Sequence, residues 1–214
     1  MAGVFGGPAQ EGLSVDTILI GDSHSQLHFN YIMELVEGLN PIERHSKPGW
    51  GSKSYLESDL LDALPSAATA IVALGGNNQE LNDSFDQRVS DLLKRLGQAG
   101  ISNIVWLGPF WSDPAKRADV LERHEWTNER LKQILPGNVA YIEMMEISKD
   151  TPTTDGVHFS ASRYKEMIQR LLPWLQSEVS GVGRLFRFSR WWLLSGSLLA
   201  FSAATVLHLR DRNG

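Results

Sequence analysis

The chain has 214 residues, 42% of them hydrophobic, 21% charged and none cysteine, with a formal charge of −5. That length and apolar content suit one domain with an appendage and exclude disorder throughout, while the lack of cysteine excludes disulfides, thiolate metal sites and a cysteine nucleophile. Residues 181–214 contribute +4 to the total, which leaves −9 on residues 1–180 and argues against nucleic acid as a partner.

Residues 1–12 are rich in Gly and Ala, lack the basic and apolar regions of a Sec-type signal peptide, and are expected to form a flexible lead-in. Residues 17–20 read as a first strand that stops at Gly21-Asp22-Ser23-His24-Ser25 and passes into a helical pattern over 26–37, ended by Gly38 and Asn40-Pro41. A short strand is expected at 42–46, a loop at Lys47-Pro48-Gly49-Trp50-Gly51-Ser52, and a short helix at 58–64 with Leu60, Leu61 and Leu64 on one side. The continuous apolar run 70–74 predicts a strand covered on both faces, and it ends in Gly75-Gly76-Asn77-Asn78. Residues 81–96 carry a helical stripe of Phe85, Val89, Leu92, Leu93 and Leu96, stopped by Gly97 and Gly100. A strand at 101–107, a long charged helix at 115–135 and a strand at 139–144 follow. The last helix starts near Ser160 and turns Tyr164, Met167, Ile168, Leu171 and Leu172 inward; Pro173 either kinks it or marks its final turn. Strands alternating with helices predict a three-layer α/β/α domain over 13–180 around a mostly parallel five-stranded sheet.

Four loops at predicted strand ends hold the residues suited to chemistry: Gly21-Asp22-Ser23, Gly49-Trp50-Gly51, Gly75-Gly76-Asn77-Asn78 and Asp155-Gly156-Val157-His158. A serine nucleophile needs a base in hydrogen-bond reach and a group that fixes the base's tautomer. Asp155 and His158, three apart around a glycine, fit that pair, with Ser23 as the alcohol. Acyl transfer also needs donors aimed at the developing oxyanion, and the N–H groups of Ser23 and Gly51 with the side-chain amide of Asn77 provide three. Each residue has a plainer reading: Ser23 as a helix cap, Asn77 as a turn residue after two glycines, Asp155 as an Asx turn, His158 as a surface histidine. One shared site is the more economical account of all four. Trp50, Trp111 and Asn78 are candidates to line the substrate cleft, and the loop Phe110-Trp111-Ser112-Asp113, with Trp50 and Tyr55, either forms an aromatic wall for a sugar or acyl chain or packs at the sheet rim. His24 adjoins the nucleophile; His28, His45, His124 and His208 read as surface or satisfied core residues. The paired-histidine motifs of a two-metal site are missing, so neither a metal nor another cofactor is expected.

In this order, these blocks resemble the SGNH hydrolases, the GDSL esterase and lipase superfamily, across residues 17–164. The resemblance implies a flavodoxin-like fold and maps Ser23 onto the nucleophile, Gly51 onto the second-block glycine, with Gly49 as its competitor, Asn77 onto the third-block asparagine, and Asp155 with His158 onto the Asp-x-x-His pair. Asn78 stands where the family often has Asp, and Arg163 where it usually has Gly. The implied activity is hydrolysis of O-acyl esters, with acetyl or short acyl groups on carbohydrate or cell-wall polymer as the first substrate class and lipid or thioester acyl groups as the second. An O-acyltransferase and a non-catalytic assembly module that retains the fold are the alternatives.

Residues 191–209 contain no acid or base apart from His208. A helix of that length reaches roughly 28 Å, close to the hydrocarbon thickness of a bilayer. Trp191-Trp192 at its start, flanking arginines and the basic, aromatic stretch 184–190 fit a membrane-anchoring helix. Gly196, Ala200 and Ala204 recur every four residues and suit close pairing of copies. Membrane association is therefore expected, with a cytoplasmic or particle-delivered origin left open.

Overall fold

The computed structural model describes residues 15–26, 31–32 and 39–179. Five strands form one sheet: β1 (Val15–Gly21), β2 (Leu39–Ser46), β3 (Thr69–Ala73), β4 (Asn103–Leu107) and β5 (Val139–Ile142), in the order β2-β1-β3-β4-β5, with every neighbouring pair parallel. Helices α1 (Ser52–Leu56), α2 (Asp83–Gln98), α3 (Pro114–Ile134), α4 (Met144–Ser148) and α5 (Ala161–Val179) connect or follow them.

Alternation along the strands sorts the core into two layers. Leu19, Ile71, Val105 and Ala140 are register partners and share a cluster with Tyr164, Met167, Ile168 and Leu171 of α5. Their neighbours Ile18, Ile20, Ala70, Val72, Ile104 and Trp106 pack on the other face against Phe85, Val89, Leu92 and Leu96 of α2 and Leu131 of α3. Side chains on both faces of a buried parallel sheet produce the unbroken apolar runs of the sequence. The expected three-layer α/β/α architecture is thus present, with the sheet fully rather than mostly parallel.

Several local expectations are revised. The strand expected at 42–46 begins earlier, at Leu39, and carries Pro41 because β2 is an edge strand; the β1–β2 register slips by one residue beside Pro41, where the ladder lacks an N–H. No helix forms at 58–64. Pro65 disfavours helical backbone at the residue before it, and the segment makes turns, with Asp62 N–H donating to Asp59 O, while the helix lies at 52–56. Leu61 still buries its side chain. The expected strand at 139–144 ends at Ile142 and turns at once into α4. Helix α2 starts two residues later than its apolar period suggested because Asn82 caps it, accepting from Ser84 N–H at 3.0 Å. Pro173 lies inside α5, which continues to Val179.

Gly21, Ala73, Leu107 and Ile142 are mutual register partners at the ends of β1, β3, β4 and β5, so the loops after them leave one rim of the sheet. The chain steps from β1 to β2 on one side and then to β3 on the other, which makes the β1/β3 boundary a topological switch point, the place where open α/β sheets bind ligands. Gly21 is held there by close backbone approach: an added Cβ would lie 2.9 Å from Ala73 O and 2.5 Å from the Ser25 side chain. Gly21→Ala is expected to cost about 1–3 kcal/mol through this overpacking, read as a fall in thermal midpoint.

Candidate active site

Strand β1 ends at Gly21, and the chain turns into a helical segment over 23–26. Asp22 caps that turn, its Oδ1 accepting from His24 N–H at 3.0 Å, while Ser25 Oγ donates to Asp22 O at 2.6 Å. The capping role read as an alternative for Ser23 therefore belongs to Asp22. That leaves the Ser23 hydroxyl for a partner from a distant loop.

The partner is His158, whose Nε2 lies 2.9 Å from Ser23 Oγ. Its Nδ1 lies 2.7 Å from Asp155 Oδ2, and Asp155 Oδ1 accepts the N–H groups of His158 at 2.7 Å and Val157 at 2.9 Å. Burial opposes ionisation of Asp155, yet the two N–H donors and the imidazole together hold its carboxyl well below the usual carboxylate range. The loop is fixed by a bridge between Thr153 and Phe159, by Asp113 N–H donating to Gly156 O at 2.8 Å, and by Gly156 at φ +96, a left-handed position that suits glycine. A carboxylate, an imidazole and an alcohol thus stand in series across 135 residues of sequence, an arrangement that can take a proton from the alcohol and return it to a leaving group.

Asn77 Nδ2 donates to Trp50 O at 3.3 Å and to Asp22 Oδ2 at 3.4 Å, beside the residue that precedes Ser23. The Trp50 carbonyl can only accept, so that contact dictates the orientation of the amide. Gly51 presses on the same turn: an added Cβ would stand 3.1 Å from both Asn77 O and Asn78 Oδ1. Gly49 has φ +77 and open space around it, so it is a turn glycine and Gly51 is the one tied to Asn77. The N–H groups of Ser23 and Gly51 donate to no acceptor among the described residues.

Asn78 is buried, accepting from Ser52 Oγ at 3.2 Å and donating to Gly75 O at 3.3 Å, so its side chain braces the turn. Trp50 packs edge-on against Tyr55, at 5.1 Å between ring centroids, and lies under Lys47 Nζ. Trp111 lines a cavity of about 320 Å³ together with Glu125, Glu129, Glu143 and Glu146. Tyr55 is wholly buried, its hydroxyl donating to Gly21 O at 2.7 Å, which makes it a buttress of β1 and not a wall residue.

Three residues around Ser23 have places that the sequence did not assign. His24 is buried, stacks on Phe110 at 4.5 Å, stands 5.1 Å from the His158 ring and hydrogen-bonds Tyr164 Oη through Nδ1 at 2.8 Å. Phe110, read from sequence as one side of a wall, is the floor under that ring. Asp22 is the third: burial pushes its carboxyl up to about 7, against the opposing His24 N–H and the His158 charge. The Gly-Asp-Ser motif contained the only sequence signal for it, an Asp directly before a helix. His124 is a satisfied core residue, with Nδ1 2.7 Å from Phe110 O and Nε2 3.1 Å from Gly76 O, and burial lowers its pKa.

The raised Asp22 pKa has a consequence for stability. A carboxyl that titrates higher in the folded than in the unfolded chain binds more protons when folded between about pH 4 and 7, so stability falls as pH rises through that window. The shift corresponds to an order of ~4 kcal/mol lost by about pH 8. Asp22→Asn, which keeps the shape without the charge, is expected to raise the thermal midpoint at pH 8 more than at pH 5.

Among the described residues no group of three or more His, Asp or Glu side chains is placed to hold a metal ion. No family model and no curated protein matches the sequence. Solved structures do match. A lipase/acylhydrolase from Enterococcus faecalis superposes with a TM-score of 0.56 at 13% identity, covering 76% of this chain and 96% of that one. A catalytic mutant of an acetylxylan esterase from Geobacillus stearothermophilus gives 0.59 at 13%, covering 77% and 96%. The C-terminal catalytic domain of a Streptococcus pneumoniae peptidoglycan O-acetyltransferase gives 0.53 at 20%, covering 78% and 97%. The fold is that of the SGNH hydrolase superfamily.

Proposed function

We propose that this chain is a serine esterase of SGNH type that hydrolyses O-acyl esters, with acetyl or short acyl groups on carbohydrate or cell-wall polymer as substrate. The observation that carries the reading is the Ser23–His158–Asp155 series, with 2.9 Å and 2.7 Å contacts, at the C-terminal rim of a parallel sheet. Ser23 Oγ attacks the ester carbonyl while its proton passes to His158 Nε2, and Asp155 stabilises the imidazolium. The carbonyl oxygen becomes an oxyanion, met by Ser23 N–H, Gly51 N–H and Asn77 Nδ2. Collapse breaks the bond to the leaving alkoxide, which takes the proton from His158 and departs as the alcohol. Water then repeats the sequence on the acyl-serine, giving the carboxylic acid and free Ser23.

The substrate class is supported by the structural neighbours, among them the acetylxylan esterase and the peptidoglycan O-acetyltransferase domain. The latter also favours a second reading, in which a sugar hydroxyl replaces water as acyl acceptor. Incubating the full chain with p-nitrophenyl acetate, with and without an oligosaccharide acceptor, separates them: free acetate alone supports the hydrolase, acetylated sugar the transferase, and no p-nitrophenol above background rejects both. Asn77→Ala is expected to lower kcat by about 10²–10³ while KM changes little, the loss expected for one oxyanion donor.

The reading includes membrane attachment through residues 191–209 and pairing of copies through Gly196, Ala200 and Ala204, supported by composition alone. Those residues lie outside the described part of the chain. Among the described residues no helix is long and apolar enough to cross a membrane.

A further inference from the structure

A primary amide has two hydrogens, and Asn77 Nδ2 lies within hydrogen-bond distance of two protein acceptors, Trp50 O at 3.3 Å and Asp22 Oδ2 at 3.4 Å. When both bonds are made no hydrogen is left for a substrate oxygen, although Asn77 is the side-chain donor of the proposed oxyanion hole. We propose that Asp22 is a positioning residue that acts through Asn77: its ionised carboxylate holds one amide hydrogen away from the substrate, and its protonated form releases that hydrogen to the oxyanion. This rests on the esterase reading above and extends it to a control of the same site.

The chemistry follows from the acceptor. An ionised carboxylate oxygen is a strong, charge-assisted acceptor, while a protonated carboxyl presents a hydroxyl that accepts weakly. A buried negative charge one amide away also opposes the charge that develops on the substrate oxygen. Both effects act in the same direction and make neutral Asp22 the productive form.

The geometry around Asp22 makes its ionisation responsive to the site. Oδ1 is committed to His24 N–H, which leaves Oδ2 as the oxygen that meets Asn77. The same oxygen faces Gly76, where an added Cβ would stand 3.3 Å from Asp22 Oδ2 and 3.3 Å from His124 Nε2 on α3. Tyr55 of α1 and Tyr164 of α5 each feel the Asp22 charge, which adds to burial in raising their phenols, and His158 on the 153–159 loop is the opposite charge that favours ionised Asp22. His24 contributes its N–H and stacks between Phe110 and the His158 side. The His24 N–H, the His158 charge and the backbone N–H groups of Ser25 and of Asp22 itself favour the charge, and His158 is also engaged by Asp155. Burial outweighs them together and brings the transition to about 7.

The test uses the full chain, wild type and Asp22→Asn, with two readouts. The first is kcat/KM for p-nitrophenyl acetate from about pH 5 to about pH 9. A group titrating at about 7 that is active only when neutral loses about tenfold between pH 6 and pH 8, so the ratio of variant to wild type is expected to rise by about tenfold over that interval. The second is the pair of Asn77 side-chain amide resonances, which are expected to shift through the same midpoint in wild type and to lose that step in the variant. A variant whose activity is lower by a constant factor at every pH would mark Asp22 as a structural part only and would overturn the inference, as would Asn77 resonances that do not follow pH in wild type. If wild type hydrolyses nothing while those resonances do titrate, the esterase reading fails and the Asp22–Asn77 coupling stands. The wild-type titration needs no variant, so the inference remains falsifiable if Asp22→Asn does not fold.

Discussion

Ser23→Ala is expected to lower kcat for ester hydrolysis by about 10⁴–10⁶ with little change in fold or substrate binding. The alanine fits because Ser23 Oγ makes no structural bond among the described residues: the turn is capped by Asp22 and Ser25, and the hydroxyl points at His158. A change of a few tenths of a kcal/mol in stability is therefore expected alongside the loss of turnover, from removing a partly buried hydrogen bond. Circular dichroism and thermal melting of the variant check the first, and p-nitrophenyl acetate hydrolysis the second. A serine that served only as a helix cap would give the reverse pattern, with stability lost and any activity retained.

Asp155→Asn is expected to cost about 10⁴ in kcat, and for a reason specific to this loop. Asp155 Oδ1 is held by the N–H groups of His158 and Val157, so the amide oxygen of asparagine takes that position and its NH₂ faces His158 Nδ1. Nδ1 must then accept, and the imidazole carries its proton on Nε2, facing Ser23 as a donor. A base in the wrong tautomer cannot take the hydroxyl proton. The variant should keep its fold and KM, and the His158 ring nitrogen resonances should report the exchanged tautomer.

Much of the architecture is legible in the sequence because buried parallel strands have no polar face. The runs at 17–20, 70–74 and 101–107 are read as strands from their apolar content, and their ends at glycines locate the rim, although the last strand begins only at Asn103. Boundaries set by single contacts are less legible. Nothing in the period of Leu60, Leu61 and Leu64 reveals that Pro65 denies the segment a helix, and nothing in the composition of 39–42 reveals that an edge position tolerates Pro41 in a strand.

The same division runs through the site. Ser23, Asp155 and His158 are singled out as candidates from residue type and order, and the fold brings them within hydrogen-bond distance. Gly51 is separated from Gly49 only by packing, because the sequence does not say which glycine lies against Asn77. Asn78 reads as a cleft residue by its polarity, but a polar side chain beside a turn is as readily consumed inside it, and here Ser52 and Gly75 take it. Asp22 is the largest omission. It sits directly before Ser23, yet its burial and its contact with a residue 55 positions away are properties of the folded chain.

The most direct measurement is intact-protein and peptide mass spectrometry of the full chain after reaction with a fluorophosphonate. The account predicts one adduct per chain, located on the peptide that contains Ser23, and loss of that adduct in His158→Ala under the same conditions. An unlabelled wild-type chain, or an adduct on another residue with Ser23 unmodified, would contradict it.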